Sequence, residues 1–408
     1  MRLEPKFPDP HAGRDVALEG LRGFAALVVF YAHLTAPFPK VDPVYAPSPQ
    51  WWRFEFAAGA VLLFFVLSGY VIGLTNLHPA TAPLVRAFWW RRFWRLFPIN
   101  ALAVGLAWLA LPGTPAKALW GNLLFLQNSQ PLLGLQVPLL ETNPNLWSLH
   151  YEMIYYLLFP IVWSLRPRSA VLVSGLLVAA GLRLGLPGVA VLSNLAAGAL
   201  FWLAGLWLAW REKPDDATRR PAPWPSALLL FVVTCKLHVA VTFAQRLGLN
   251  FVWAPQVNLW DLDLLPVAIL LVASVAGRSV PFPRFCPSLA IGIPALRIGW
   301  QMCSQHGWPL PDSQLYAAGW LLAVLLWPWR PDRSAWRLLA PVGAISYALY
   351  ALAAPLQYCI HDLQWLPSGT VQSYVLRLVV TIIVAFICAW LAEAKLQPLI
   401  VSRVRRSP

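Results

Sequence analysis

The stretch LEGLRGFAALVVFYAHL, residues 18–34, sets Arg22 and His33 eleven residues apart in a run otherwise suited to lipid. At about 100° per residue that spacing closes just over three helical turns. Both side chains then fall near one face, roughly 16 Å apart along the axis. An ionisable group at mid-membrane costs on the order of 2.5–3.5 kcal/mol on insertion scales, so it persists where it faces a polar cavity. An arginine at one end suits an anion, and a histidine at the other suits proton transfer near neutral pH. The plain readings are a snorkelling arginine and an interfacial histidine.

A second candidate is PNLWSLHYEMIYYLLFP at 144–160. A span entering from the outer side near Leu149 puts Glu152 within a turn of that surface, level with His33. A carboxylate and an imidazole at one depth on two helices form an acid/base pair. The carboxylate can orient the ring, raise its basicity or stabilise imidazolium. His150 reads as a loop residue. In RRFWRLFP, Arg92 and Arg95 stand one turn apart, so their guanidiniums can converge on a phosphate or diphosphate. Ordinary cytoplasmic positive charge is the alternative. Ser68 and Gly69 in FFVLSGYVI, at 64–72, read as close helix packing.

The elements that position these groups follow from the composition. Of 408 residues, 59% are hydrophobic and 12% charged, with a mean hydropathy of +0.59. A soluble chain carries roughly a quarter charged residues. Apolar runs recur near 20–36, 57–77, 96–112, 149–165, 170–187, 192–210, 225–244, 263–277, 286–302, 314–329, 340–357 and 373–392. They lack the period-2 alternation of a barrel. The expected fold is all-α, a polytopic transmembrane helix bundle of ten to twelve spans. The 286–302 run is weak, and 118–128 is ambiguous.

The net charge of +14 resides in short connectors such as RAFWWRRFWR, 86–95, and REKPDDATRR, 211–220. With twelve spans and the N-terminus inside, every basic connector falls inside, so both termini are expected in the cytoplasm. That placement excludes a nucleic-acid reading of the charge. The five cysteines are scattered without a C-x-x-C, so no metal site and no disulfide framework is expected. No cleavable signal peptide is expected. The chain divides into a cytoplasmic segment 1–19, a transmembrane domain 20–394 and a basic tail 395–408.

Taken together, these blocks resemble the acyltransferase-3 family of multipass membrane O-acyltransferases. LEGLRGFAALVVFYAH resembles its opening helix, with the Arg-x10-His spacing on Arg22 and His33. FFVLSGYVI resembles its second span, RRFWRLFP its arginine motif, and LWSLHYEMIYYLLFP its WSLxxE block, with Glu152 at the acidic position. VGAISYALYALAAP at 342–355 resembles a late span in which the usual His falls on Ala353, and EAKLQPLIVSR resembles the ending of the last span.

The resemblance implies transfer of an acyl group, commonly acetyl, to a hydroxyl of a carbohydrate or glycoconjugate acceptor. It implies a bacterial inner-membrane location and His33 as the central catalytic residue. With acyl-CoA (acetyl-CoA) as donor and no metal, the phosphates would meet Arg92, Arg95 and Arg22. His33 would act as general base with Glu152 orienting its ring, and a transient acyl-His is the competing route. Ala353 counts against a mechanism needing two imidazoles. A transporter or flippase for a glycolipid or small solute fits the composition equally, but leaves the Arg-x10-His helix and the Trp-Ser-Leu block without a purpose.

Overall fold

The computed structural model describes residues 15–35, 41–46, 56–127, 137–165, 190–211, 222–248, 257–280, 282–303 and 311–406. Among the described residues every extended element is helical. The chain begins with α1 (Val16–Thr35), α2 (Ala57–Thr75), α3 (Ala82–Ala110), α4 (Ala116–Leu123) and α5 (Trp147–Ser164). There follow α6 (Ala190–Arg211), α7 (Trp224–Leu237), α8 (Val239–Arg246), α9 (Leu265–Ala276) and α10 (Phe285–Cys303). The last are α11 (Pro311–Leu325), α12 (Ala340–Ala344), α13 (Ser346–His361), α14 (Val371–Trp390) and α15 (Gln397–Arg406).

Seven helical stretches among these residues are long and apolar enough to cross a bilayer, or eight if α12–α13 with its preceding turn counts as one bent span. The expected runs at 149–165, 286–302 and 314–329 are helices α5, α10 and α11, but they fall outside that set. The run at 170–187 lies outside the described residues. The third span begins far earlier than the apolar run at 96, because RAFWWRRFWR is itself helical and opens α3. The ambiguous 118–128 run holds only the short α4.

Two small-residue contacts fix the centre of the bundle. A Cβ at Gly69 would collide with the carbonyl oxygen of Trp202, and one at Gly205 with that of Val66. Glycine thus lets the α2 and α6 backbones touch, as small residues do where lipid removes the hydrophobic drive for association. Aromatic rings fill the space beside this pair. Phe65 stands edge-on to Tyr155 at 5.5 Å, and Tyr155 tilts against Trp202 at 5.7 Å. The chain bends by 54° between α12 and α13. There the Glu393 carboxylate accepts from the Ala348 N–H at 3.0 Å, occupying one of the donors a helix start leaves free.

Two side chains pin the loops at the α13–α14 end. Arg377 is 1% exposed and donates to five carbonyls: Pro367, Ile360, His361, Leu363 and Leu366. Asp42 accepts from the N–H groups of Val44, Tyr45 and Gly369 and from Ser373 Oγ at 2.6 Å. Burial of Asp42 opposes ionisation, yet these donors outweigh it and hold the carboxyl below its usual range.

A depressed folded-state pKa contributes stability above the unfolded value of about 3.9, lost as pH falls through the folded value. Asp42→Asn should therefore lower the unfolding temperature at pH 7 and remove part of the acid-side slope between pH 7 and 3. Parallel wild-type and variant profiles in thermal unfolding would contradict this.

Candidate functional site

RRFWRLFP brings Arg92 and Arg95, two of its three arginines, to one polar seam. The Arg92 guanidinium lies over the ring of Phe88 at 5.5 Å and over that of Tyr156 at 5.3 Å. Tyr156, one turn beyond Glu152 on α5, donates its hydroxyl to Glu152 Oε1. Ser68 on α2 donates to the same oxygen at 2.9 Å and lies 3.2 Å from the Tyr156 hydroxyl. Arg92 is also within electrostatic reach of Glu152 and of Arg95. Ser68 therefore does more than pack: it ties α2 to the carboxylate, while its neighbour Gly69 makes the close contact expected of both.

Arg95 turns toward the end of the chain. Its Nη2 stands 3.5 Å from Glu393 Oε1, within a single stretch of π-helix at Leu391–Leu396. Its carbonyl accepts from Gln397 Nε2 at 2.6 Å, and the next carbonyl, of Leu96, accepts from the Tyr347 hydroxyl at 2.9 Å. Glu19 and Glu152 are likewise close enough to act on Arg95. Arg22 pairs with Glu19 at 3.3 Å, one turn away on α1. The three arginines named from the sequence thus gather around Glu19, Glu152 and Glu393, near the bend at the start of α13. Such a cluster can hold a polyanion by exchanging internal carboxylates for phosphates.

His33 sits at the far end of α1. Its ring is half-buried and makes no hydrogen bond among the described residues, while its backbone carbonyl accepts from Gln357 Nε2 at 3.1 Å. The equal depth expected for His33 and Glu152 does not become a contact. The Oε1 of Glu152 is engaged by Ser68 and Tyr156 instead. His33 is left with an unengaged ring at one end of the bundle, and the carboxylates sit with the arginines.

His150 departs from its expected place in a loop: it lies in the first turns of α5 and is 3% exposed. Its Nδ1 lies 2.6 Å from the Phe125 carbonyl oxygen and, as the only possible donor of the two atoms, carries the hydrogen. Ala353, at the position of the usual late histidine, is 3% exposed within α13. Among the described residues no group of three His, Cys, Asp or Glu side chains is placed to hold a metal ion.

Tyr156, Ser68 and Glu393 were not singled out as site residues by the sequence. Tyr156 had a legible signal, since a tyrosine four residues after an intramembrane acid shares its helix face. Glu393 opens EAKLQPLIVSR, which resembles the family's last-span ending, but its pairing had no signal, because its partner Arg95 is 298 residues away.

The chain is 30% identical over 162 residues to Acyltransferase MdmB of Streptomyces mycarofaciens, a match covering 38% of this chain and 41% of that relative. The match thus spans less than half of the relative's length. No solved structure matches the chain. Residues 15–286, which carry His33, Ser68, Arg92, Arg95 and Glu152, match the family model described as an acyltransferase domain, and the chain belongs to the acyltransferase-3 family.

Proposed function

We propose that this chain is a membrane O-acyltransferase. It moves an acyl group, acetyl in the simplest case, from acyl-CoA to a hydroxyl of a carbohydrate or glycoconjugate. It works in a bacterial inner membrane with both termini cytoplasmic. The observation that carries the reading is the polarity of α1: a cluster of arginines surrounds one end and an unengaged imidazole stands at the other. The two ends are roughly 16 Å apart by helical rise, on the order of the reach of an extended pantetheine arm.

In this reading Arg92, Arg95 and Arg22 attract the nucleotide phosphates from the cytoplasmic side. The thioester reaches His33, and the acceptor hydroxyl arrives from the outer side. His33 Nδ1 or Nε2 takes the hydroxyl proton as the oxygen attacks the thioester carbonyl. The tetrahedral adduct expels the CoA thiolate, which takes up the proton. Glu152 acts on the donor side, holding Tyr156 and Arg92 in place, a different role from the ring-orienting one that equal depth suggested.

The test uses the full chain in liposomes with labelled acetyl-CoA and a surface-polysaccharide extract. The expected result is thiol release matched by label in an alkali-labile ester on the glycan. Movement of glycan or glycolipid across the bilayer with no thioester consumed would replace this reading with transport.

A further inference from the structure

Away from the arginine cluster, one end of α10 collects two cations without an anion. Arg246, closing α8, and Arg297, on α10, each place the guanidinium carbon 5.0 Å from the ring centre of Trp300. Cation–π attraction holds each to the indole. Sharing one ring, the two charges stand within about a Debye length of each other and repel. Arg246 is the charged neighbour that acts on Arg297. Among the described residues neither guanidinium has an acidic partner, and Arg297 Nε is buried with no hydrogen-bond acceptor. The flanking segments 249–256 and 304–310 contain no Asp or Glu.

A groove runs from this pair along α10. It has a volume of about 530 Å³ and is lined by Leu289, Gly292, Leu296, Gly299 and Trp300. Among the described residues, a Cβ added at Gly292 or Gly299 would meet nothing. These glycines thus serve no close helix contact, unlike Gly69 and Gly205, although glycine costs helix stability. What they do is hollow the surface. Leu289 to Trp300 is roughly 16 Å of helix, about half of a hydrocarbon core of roughly 30 Å. The groove has the length of one leaflet.

The charged end lies toward the start of α2. Phe243 of α8 packs on Trp300 with ring centres 5.9 Å apart. The neighbouring Ala240 N–H donates to Asp263 at 3.0 Å. Asp263 in turn shares a small pocket with Phe56 and Gly59 at the start of α2. We propose that this groove is a binding site for an anionic glycerophospholipid of the leaflet at the α2-start end of the bundle. One acyl chain lies along α10, and the phosphate is held between Arg246 and Arg297. The charge pair supplies the headgroup specificity, and the one-leaflet length selects a lipid chain over a spanning or soluble occupant.

The test compares phosphatidylglycerol with phosphatidylcholine of identical chains, counting lipid retained by the purified full chain in native mass spectrometry. With each arginine contributing about 1 kcal/mol toward an anionic headgroup, the wild type should prefer phosphatidylglycerol by roughly 30-fold. Arg246→Gln with Arg297→Gln should bring the two lipids level. Gly292→Leu with Gly299→Leu should lower retention of both, and all variants should keep the wild-type unfolding temperature. Equal retention by the wild type, or an undiminished preference in the arginine variant, would overturn the proposal. So would displacement of the lipid by inorganic phosphate with the groove-filled variant unaffected, which would indicate a free-phosphate site.

Discussion

His33→Ala is expected to lower acyl transfer on the order of 10²–10⁴-fold, the range a positioned general base contributes, while the chain folds and inserts as before. Retention of the fold follows from where the histidine is tied. Its ring makes no hydrogen bond among the described residues, and the link to α13 runs from Gln357 to the backbone carbonyl, which alanine keeps. Alanine is also the better helix former. The measurement is ester formation per amount of correctly inserted protein, and near-normal transfer in the variant would end the assignment of His33. Glu152→Gln separates the two roles open to the carboxylate. If Glu152 orients the imidazole, the variant should lose kcat much as His33→Ala does. If it holds Tyr156, over whose ring Arg92 lies, the main effect should be a higher KM for acyl-CoA.

Arg377→Ala should destabilise the chain on the order of 4 kcal/mol, the largest effect on folding expected of one substitution here. Guanidinium offers five N–H donors in a rigid plane, and the five carbonyls of Ile360, His361, Leu363, Leu366 and Pro367 accept at 2.8 to 3.1 Å. Removing the side chain leaves carbonyls beside a 1% exposed position with no donor. Arg377→Lys keeps the charge but brings three donors on a point-like head, so it should recover less than half of the loss. Thermal unfolding in detergent reads both variants. A Lys variant as stable as the wild type would mean that charge, and not the fork of donors, organises the turn between α13 and α14. Transfer activity per folded molecule should change little, because Arg377 is tied to the loop carbonyls and to none of the arginine cluster.

Much of this protein is legible in the amino-acid order. Apolar runs of membrane length mark most of its helices, since a buried backbone in lipid must satisfy its hydrogen bonds within each segment. Local spacing placed Arg22 and His33 on one helix and Arg92 and Arg95 a turn apart, and the family blocks marked the same residues. Helical period carries such information because it relates residues a few positions apart on one rigid element. It also misled at RAFWWRRFWR, where charge was taken for a connector and long side chains instead extend α3 beyond its apolar run.

Contacts between helices follow another rule. Equal depth predicted that Glu152 would face His33, but the two sit at different levels: Glu152 meets Ser68 midway along α2, beside the arginines, while the His33 carbonyl is tied to Gln357 late in α13. The level a span takes against its neighbours is set by packing, here by the aromatic rings between α5 and the α2–α6 pair. Arg95 finding Glu393, and Arg377 finding five carbonyls across a turn, belong to the same class. The sequence by itself determined which charged groups enter the bundle and on which helices they ride. Only the tertiary structure decided their partners, because a buried charge is satisfied by whichever face the packing of small and aromatic residues brings to it.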